Sequence, residues 1–338
     1  MNPTPRPSGL ELLQGELGRQ YDDALASFAD NRPIAARIAE SLHRTRRLLL
    51  VGMGASHFAN RAVEAAYRAF GIDAAAAVAS ELLAAPLPDG PRTMIVVSQS
   101  GASGEILDLL ERRAVGEERF GLTLDGSSRL GKALPCLIGA GGPERAFAAT
   151  RSLLLTLTLH GAVLSALGLE SERVLSVLRT PPRVESDSAY ECLADRSTVI
   201  VSGRRELQGI AEAGALFLME LARIPAFGME GGQFRHGPLE ALSPAVGVVL
   251  LRADDEWAQS VQRLAESCIA AGTAPVVLDA SGREPVAGTI TMSFPPMAGL
   301  DAALGLLPSL QQLLLRVARH RVKQVGEPLW SSKVTGRE

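Results

Sequence analysis

The chain has 338 residues, 46% hydrophobic and 21% charged, proportions of a packed globular protein too long for one small core, so two domains or one double-lobed unit is expected. Its 37 acidic and 34 basic side chains leave a net charge of −3 with only short basic clusters, as at residues 44–47 and 319–323. That balance disfavours nucleic acid and anionic membranes as partners and leaves any bound anion to be gripped locally.

The start, MNPTPRPSGLELL, has no apolar run behind a basic one and does not read as a signal peptide. Residues 48–51 form a short apolar strand ending at Gly52, and residues 60–70 have helical period, closed by Gly71 as a helix C-terminus should be. A second apolar strand, residues 95–97, empties into the hydroxyl- and glycine-rich loop SQSGAS (residues 98–103) ahead of a helix expected over residues 106–113. Such a loop at a helix start aims backbone N–H groups and serine hydroxyls at one point, with the positive end of the helix dipole behind them, and so suits a phosphate. Ser and Gly also serve ordinary strand-to-helix turns, so the loop alone does not decide the matter.

Residues 153–169 are the longest apolar stretch, but they contain His160 and two threonines and are too short and interrupted to span a bilayer; a buried helix is expected. Two prolines place a linker at residues 178–184. Beyond it the pattern repeats about 150 residues on: a strand at 199–201 ending at Gly203, a strand at 248–251, and helical segments at 207–223 and 257–271, the last followed by Gly272. Short unalternating strands separated by helices indicate parallel sheets covered on both faces, here two copies of one doubly wound α/β lobe. Ligands of such sheets bind at the carboxyl ends of the strands, where the loops at 52–56 and 98–103 of the first lobe can converge.

In the second half, Glu220 lies in the apolar helix GALFLMELARI. With Gly214, Phe217, Leu218 and Leu221 facing inward, Glu220 falls at the stripe's border, where partial desolvation makes a carboxylate a useful base; pairing with Arg223 at i+3 is the alternative. The stretch GMEGGQFRHGPL (residues 228–239) surrounds His236 with glycines and a proline, so it is expected to be irregular and to expose the imidazole, unless that ring caps a local carbonyl. His57 adjoins the first glycine loop, His160 sits in an apolar helix, and His43 and His320 lie in basic clusters. The three cysteines, Cys136, Cys192 and Cys268, have no metal-ligand spacing and read as buried apolar residues of a reducing, cytoplasmic compartment. Lys333, in a polar aperiodic tail, has no role by these arguments.

Taken together these segments resemble the SIS (sugar isomerase) family, in particular its double-SIS branch, which contains the isomerase half of glucosamine-6-phosphate synthase and related aminosugar-phosphate deaminases and deglycases. VGMGASHFA (residues 51–59) is similar to the family's first glycine loop, SQSGAS to its SQSGET phosphate loop, and FAATRSL (residues 147–153) to its VASTKAF turn with Arg151 for lysine. The resemblance implies an α/β fold of two SIS lobes, each a flavodoxin-like doubly wound parallel sheet flanked by helices. The implied divisions are an N-terminal helical segment over residues 1–33, lobes over 34–177 and 185–322, and a tail over 323–338 lying on the active site.

By the same resemblance Ser98, Gln99, Ser100 and Ser103 hold a sugar phosphate and Ser56 contacts the sugar. Glu220 would move a proton between C1 and C2, and His236 would open the sugar ring in the neighbouring subunit's site of a homodimer. Lys333, in SSKVT, would lie over the site as an imine or oxyanion partner. No metal or redox cofactor is implied.

The sequence departs from the family at Phe217, which stands where the synthase has a lysine, at Ala55 and Ala102 in the loops, and at PLWS (residues 328–331) before the tail lysine. It also opens Met-Asn-Pro rather than with a cysteine nucleophile, so no glutaminase half and no glutamine-derived nitrogen are expected. The expected activity is an isomerase or deaminase of an aminosugar phosphate, such as glucosamine 6-phosphate going to fructose 6-phosphate and ammonia. Its rivals are a deglycase for phosphorylated Amadori-type conjugates, with Phe217 making room for the larger amine, and a sugar-phosphate sensor, for which no helix-turn-helix segment is present.

Overall fold

Two five-stranded parallel sheets of identical strand order make up the computed structural model, which describes residues 7–112 and 115–336. Arg113, the expected end of one helix, lies outside the described residues, as do the first six positions and the last two of the tail.

The first lobe runs α1 (Gly9–Asp30), α2 (Arg32–Thr45), β1 (Arg47–Gly52), α3 (Gly54–Ala69), β2 (Asp73–Val78), α4 (Ala79–Ala84), β3 (Arg92–Val97), α5 (Gly104–Glu111), β4 (Glu117–Thr123), α6 (Arg129–Ala133), β5 (Cys136–Ile138), α7 (Arg151–Ala166) and α8 (Ser171–Arg179). The second runs α9 (Asp187–Leu193), β6 (Thr198–Gly203), α10 (Glu206–Leu221), β7 (Ala226–Glu230), α11 (Gly231–Phe234), a 3₁₀ turn (Pro238–Ala241), β8 (Val246–Ala253), α12 (Ala258–Ala270), β9 (Val276–Ala280), β10 (Ile290–Ser293) and α13 (Gly299–Arg321).

The sheet orders β2-β1-β3-β4-β5 and β10-β9-β8-β6-β7 are the same doubly wound pattern written in opposite directions. At each centre the repeated strands pair: Leu49 opposite Met94 and Val51 opposite Val96 in the first sheet, Val199 opposite Gly247 and Val201 opposite Val249 in the second. Every residue of β3 and β8 is buried, as both faces of a helix-covered parallel sheet require. The order reverses between β1 and β3, which opens a crevice at their carboxyl ends.

The two lobes share one core. A single hydrophobic cluster runs from Leu13 in α1 through Leu155 in α7 and Phe217 in α10 to Leu314 in α13, while smaller clusters back the outer face of each sheet. Helix α7 is buried from Arg151 to Leu164 because helices lie on all its sides, which accounts for its unbroken apolar sequence. Helices α3 and α10 approach until Gly209 touches the α3 backbone; a Cβ there would stand 2.3 Å from the Phe58 carbonyl oxygen. The N-terminal helix is bound into the first lobe rather than separate from it, since Arg151, wholly buried at the start of α7, bonds Glu16 at 2.6 Å and Asp23 at 3.0 Å on α1. Helix α2 begins at Arg32, so a boundary between residues 33 and 34 cuts through its first turn.

Two expectations need correcting. Only Cys268 is buried; Cys136 and Cys192 are half-buried. The glycine-rich stretch around His236 is partly regular, because Gly228–Glu230 complete the edge strand β7 and residues 231–234 make one helical turn. Glycine tolerates both conformations, and the neighbouring backbone of β6 supplies the ladder partners. Among the described residues no helix is long and apolar enough to cross a membrane.

Candidate active site

A cleft of about 260 Å³ opens at the carboxyl ends of β1 and β3. Its walls come from Ser56 and its neighbours at the start of α3, from Ser98, Gln99, Ser100 and Ser103 after β3, from Leu216 and Glu220 on α10, and from Ser332 and Lys333 of the tail. Two hydroxyl loops from adjacent strands and a carboxylate from the other lobe thus meet in one space.

The loop after β3 is held by its backbone. The Gln99 carbonyl accepts from Leu124 N–H at 3.0 Å and Thr123 Oγ1 at 3.2 Å, and Gly101 N–H donates to the Ser98 carbonyl at 3.0 Å. Gly101 has φ +60° and lies against Ser128, where a Cβ would come 2.0 Å from the serine hydroxyl, so only glycine fits this bend. Ser103 is the N-cap of α5 but makes no side-chain capping bond; its hydroxyl instead lies 3.4 Å from that of Ser98. Met53, the N-cap of α3, has no oxygen with which to cap. Both helix starts therefore bring N–H groups without side-chain caps, together with serine hydroxyls, to the cleft, an arrangement that favours an anion. The tail already uses one of these donors, Gly104 N–H, which donates to the Thr335 carbonyl at 3.2 Å.

Glu220 sits at the edge of α10's buried stripe, with Phe217, Leu218 and Leu221 inside it. Burial pushes its pKa up to about 7; the Lys333 ammonium pulls it down and the Glu144 carboxylate pushes it further up. Arg223 is turned elsewhere, donating to the Glu327 carbonyl at 2.7 Å, so the alternative of an exposed i+3 ion pair does not apply. A carboxyl of pKa near 7 is ionised half the time at neutral pH and can both take and return a proton.

Lys333 is the one cation among the cleft-lining residues. Its Nζ donates to the Phe147 carbonyl at 3.2 Å and lies 3.6 Å from Glu144 Oε2. With the Gln99 amide set by its surroundings, the Gln99 oxygen accepts from Lys333 Nζ at 2.7 Å and its nitrogen donates to Glu144 Oε2 at 3.0 Å.

His236 does not reach this cleft. It is exposed on the short turn after α11; among the described residues its ring caps no carbonyl, and no histidine lines the cleft. His57 also stays outside, turned into the crossing of α3 with α10, where burial foremost and Arg61 next lower its pKa. His160 pairs with the Tyr67 hydroxyl at 3.0 Å in the core, and burial pushes its pKa down to about 3. Arg151, aligned by sequence with a family lysine near the site, serves instead as the buried tie between α1 and α7.

Sequence reasoning passed over Glu144, which has no local pattern to distinguish it from a surface glutamate, and Leu216, one turn before Glu220. Helical period put Phe217 on the inward stripe, whereas the deglycase expectation had it make room for an amine. Phe217 is buried in the core, and the open space lies on the other side of α10. There a second chamber of about 430 Å³ shares Phe147, Glu220 and Ser331 with the first and adds Met219, Arg223, Leu329 and Trp330. Among the described residues no three His, Cys, Asp or Glu side chains gather as a metal site.

Residues 192–293 match the model of the SIS domain. The chain is 27% identical over 272 residues to a glutamine–fructose-6-phosphate aminotransferase (isomerizing) of Bradyrhizobium diazoefficiens, an alignment covering 72% of this chain and 44% of that protein. The chain spans about half the length of the curated relatives it matches. Among solved structures, tagatose-6-phosphate ketose/aldose isomerase of Escherichia coli superposes with a TM-score of 0.80 at 21% identity, covering 98% of this chain and 100% of the other. Glucosamine-6-phosphate deaminase of Thermotoga maritima superposes with a TM-score of 0.70 at 20% identity, covering 93% and 99%. The chain has the two-lobe SIS fold, and its second lobe carries the SIS domain match.

Proposed function

We propose that this chain, built on the two-lobe SIS fold, catalyses proton transfer between C1 and C2 of a phosphorylated aminosugar, releasing ammonia from a glucosamine 6-phosphate-like substrate. One observation carries the reading: Glu220, a carboxyl whose burial raises its proton affinity into the neutral range, faces the same cleft as two uncapped, hydroxyl-rich helix starts. The isomerase and deaminase that share the fold and the isomerizing relative agree with this chemistry.

In this mechanism Ser98, Gln99, Ser100 and Ser103 hold the phosphate and Ser56 the sugar. Glu220 removes the C2 proton of the open-chain aldehyde, and the electron pair moves through C1 onto O1, where Lys333 offsets the developing charge. O1 takes a proton from solvent, the amine lone pair then forms the C2–N double bond as the C1–C2 π pair takes the returning proton at C1, and water hydrolyses the resulting iminium to the ketose phosphate and ammonium. His236 enters from a second copy of the chain to open the ring.

The second chamber favours a further reading, a deglycase whose substrate carries a larger amine. Its Trp330, Leu329 and Met219 are exposed apolar groups beside Glu220, and Arg223 has no carboxylate partner there.

The test is proton NMR of glucosamine 6-phosphate in D2O with an ammonia assay, on the wild type and Glu220→Gln. Loss of the C2 proton signal with ammonia release is expected, slowed ~100-fold or more in the variant, as for removal of a general base. Exchange at the wild-type rate in Glu220→Gln overturns the mechanism, and faster turnover of N-substituted substrates selects the deglycase.

A further inference from the structure

Glu144 is the most enclosed anion near the cleft, and nothing in its local sequence explains why a charge should be there. Its side chain is fully inaccessible, and a buried carboxylate is costly unless donors surround it. The donors divide sharply between its two oxygens. Oε1 is fastened to the start of α7, accepting from Thr150 N–H at 2.9 Å and Thr150 Oγ1 at 2.6 Å, where a helix N-terminus favours negative charge. Oε2 accepts from Ser152 Oγ at 2.5 Å and from the Gln99 amide at 3.0 Å, and lies 3.6 Å from Lys333 Nζ.

Gln99 belongs to the loop after β3, and Lys333 to the tail. Both line the cleft, and they also touch each other through the Gln99 oxygen. One face of Glu144 is thus structural, and the other joins two segments of the site, the loop after β3 and the tail. From this geometry we infer that Glu144 is a positioning residue: it ties the phosphate-holding loop to the tail lysine and holds a negative charge beside that lysine's positive one at the Glu220 side of the cleft. The inference rests on the reading of Glu220 as the proton-transferring group.

The charges facing Glu220 are Lys333 from the tail and Glu144 from the segment before α7, while Arg223, just past the end of α10, is turned to the Glu327 carbonyl. The ionic groups of α3, Arg61 and Glu64, face Glu212 two turns earlier, and α13 meets α10 through Leu310 and Leu314. Glu144 and Lys333 therefore act on Glu220 with opposite sign. Glu144→Gln keeps the shape and the acceptor toward Thr150 but removes the charge. The Gln99 and Phe147 carbonyls still hold Lys333 nearby, so Glu220 should ionise more easily. Lys333→Met should do the reverse.

The experiment is a carboxyl-carbon NMR titration of the full chain, with Glu220→Gln assigning the Glu220 resonance, beside the pH profile of C2-proton exchange. The expected result is a midpoint for Glu220 about one unit lower in Glu144→Gln and about one unit higher in Lys333→Met, with the acidic limb of the profile following. A midpoint unmoved in both variants, or moved the same way in both, overturns the inference. If Glu144→Gln does not fold, Lys333→Met reads the tie from a surface tail, and an unmoved midpoint there overturns it. The titration needs no turnover, so an absence of exchange in the wild type counts against the function reading alone.

Discussion

The two lobes place a crevice at the same point of the same topology and fill it differently. In the first, the loops after β1 and β3 present serine hydroxyls, glycines and uncapped N–H groups. In the second, the loops after β6 and β8 present Arg205, Glu206, Asp254, Asp255 and Glu256 around a cavity of about 400 Å³. Arg205, at φ +52°, bonds Glu256 at 2.9 Å and lies 3.4 Å from Glu206, so its one guanidinium answers two of these four carboxylates. On the proposed reading the first crevice suits a dianion, whereas carboxylates are in excess around the second. The fold supplies a place for a ligand twice, and the loop side chains decide what each place accepts.

Carrying the second lobe's chemistry into the first is the strongest way to break this contrast. Ser100→Asp sets a carboxylate among the hydroxyls proposed to face the phosphate. Two like charges ~4 Å apart repel by about 4 kcal/mol at an effective dielectric of 20, so a sugar-phosphate ligand should bind at least ~100-fold more weakly by calorimetry. Unchanged affinity would remove the phosphate from that loop.

A second test concerns the group the second lobe lends to the first. Glu220 has its pKa raised from 4.5 to about 7, chiefly by burial, so the folded state binds its proton more tightly than the unfolded state does. Stability should therefore fall as the pH rises from about 4.5 to about 7, by at most about 3 kcal/mol from this group. Glu220→Gln should match the wild type in denaturant melts at pH 4 and exceed it at pH 8. Equal stability at both values would mean that the carboxyl is better solvated than its surroundings indicate.

The smallest effect should come from the other crevice. Asp255→Ser combined with Glu256→Ser should change C2-proton exchange on a sugar phosphate by less than about twofold, since neither side chain lines the cleft. A large loss would show that the two crevices act together.

Much of this contrast was legible locally. The apolar strands, the helix-ending Gly71 and Gly272, and the serine loop after β3 all lie where the sequence pattern places them, because strand burial, left-handed glycine and helix-start chemistry are properties of a few consecutive residues. Glu220 was legible too, as a polar residue at the border of an apolar stripe. Glu144 was not, because its partners come from the start of α7, from the loop after β3 and from the tail. Leu216 was not legible for a related reason: helical period gives the buried side of α10, with Phe217 on it, but not which neighbour occupies the other side.

By itself the sequence determined two repeated α/β lobes, a phosphate-suited loop and a candidate base, since each depends on short-range periodicity or backbone freedom. Only the tertiary structure decided that one core joins the lobes, that Arg151 and Glu144 are buried ion centres, that Lys333 is held by Phe147, Gln99 and Glu144 in the cleft Glu220 lines, and that His236 lies outside its own chain's cleft. Those facts depend on burial and on distances between segments far apart in the chain, and electrostatics takes its strength from both.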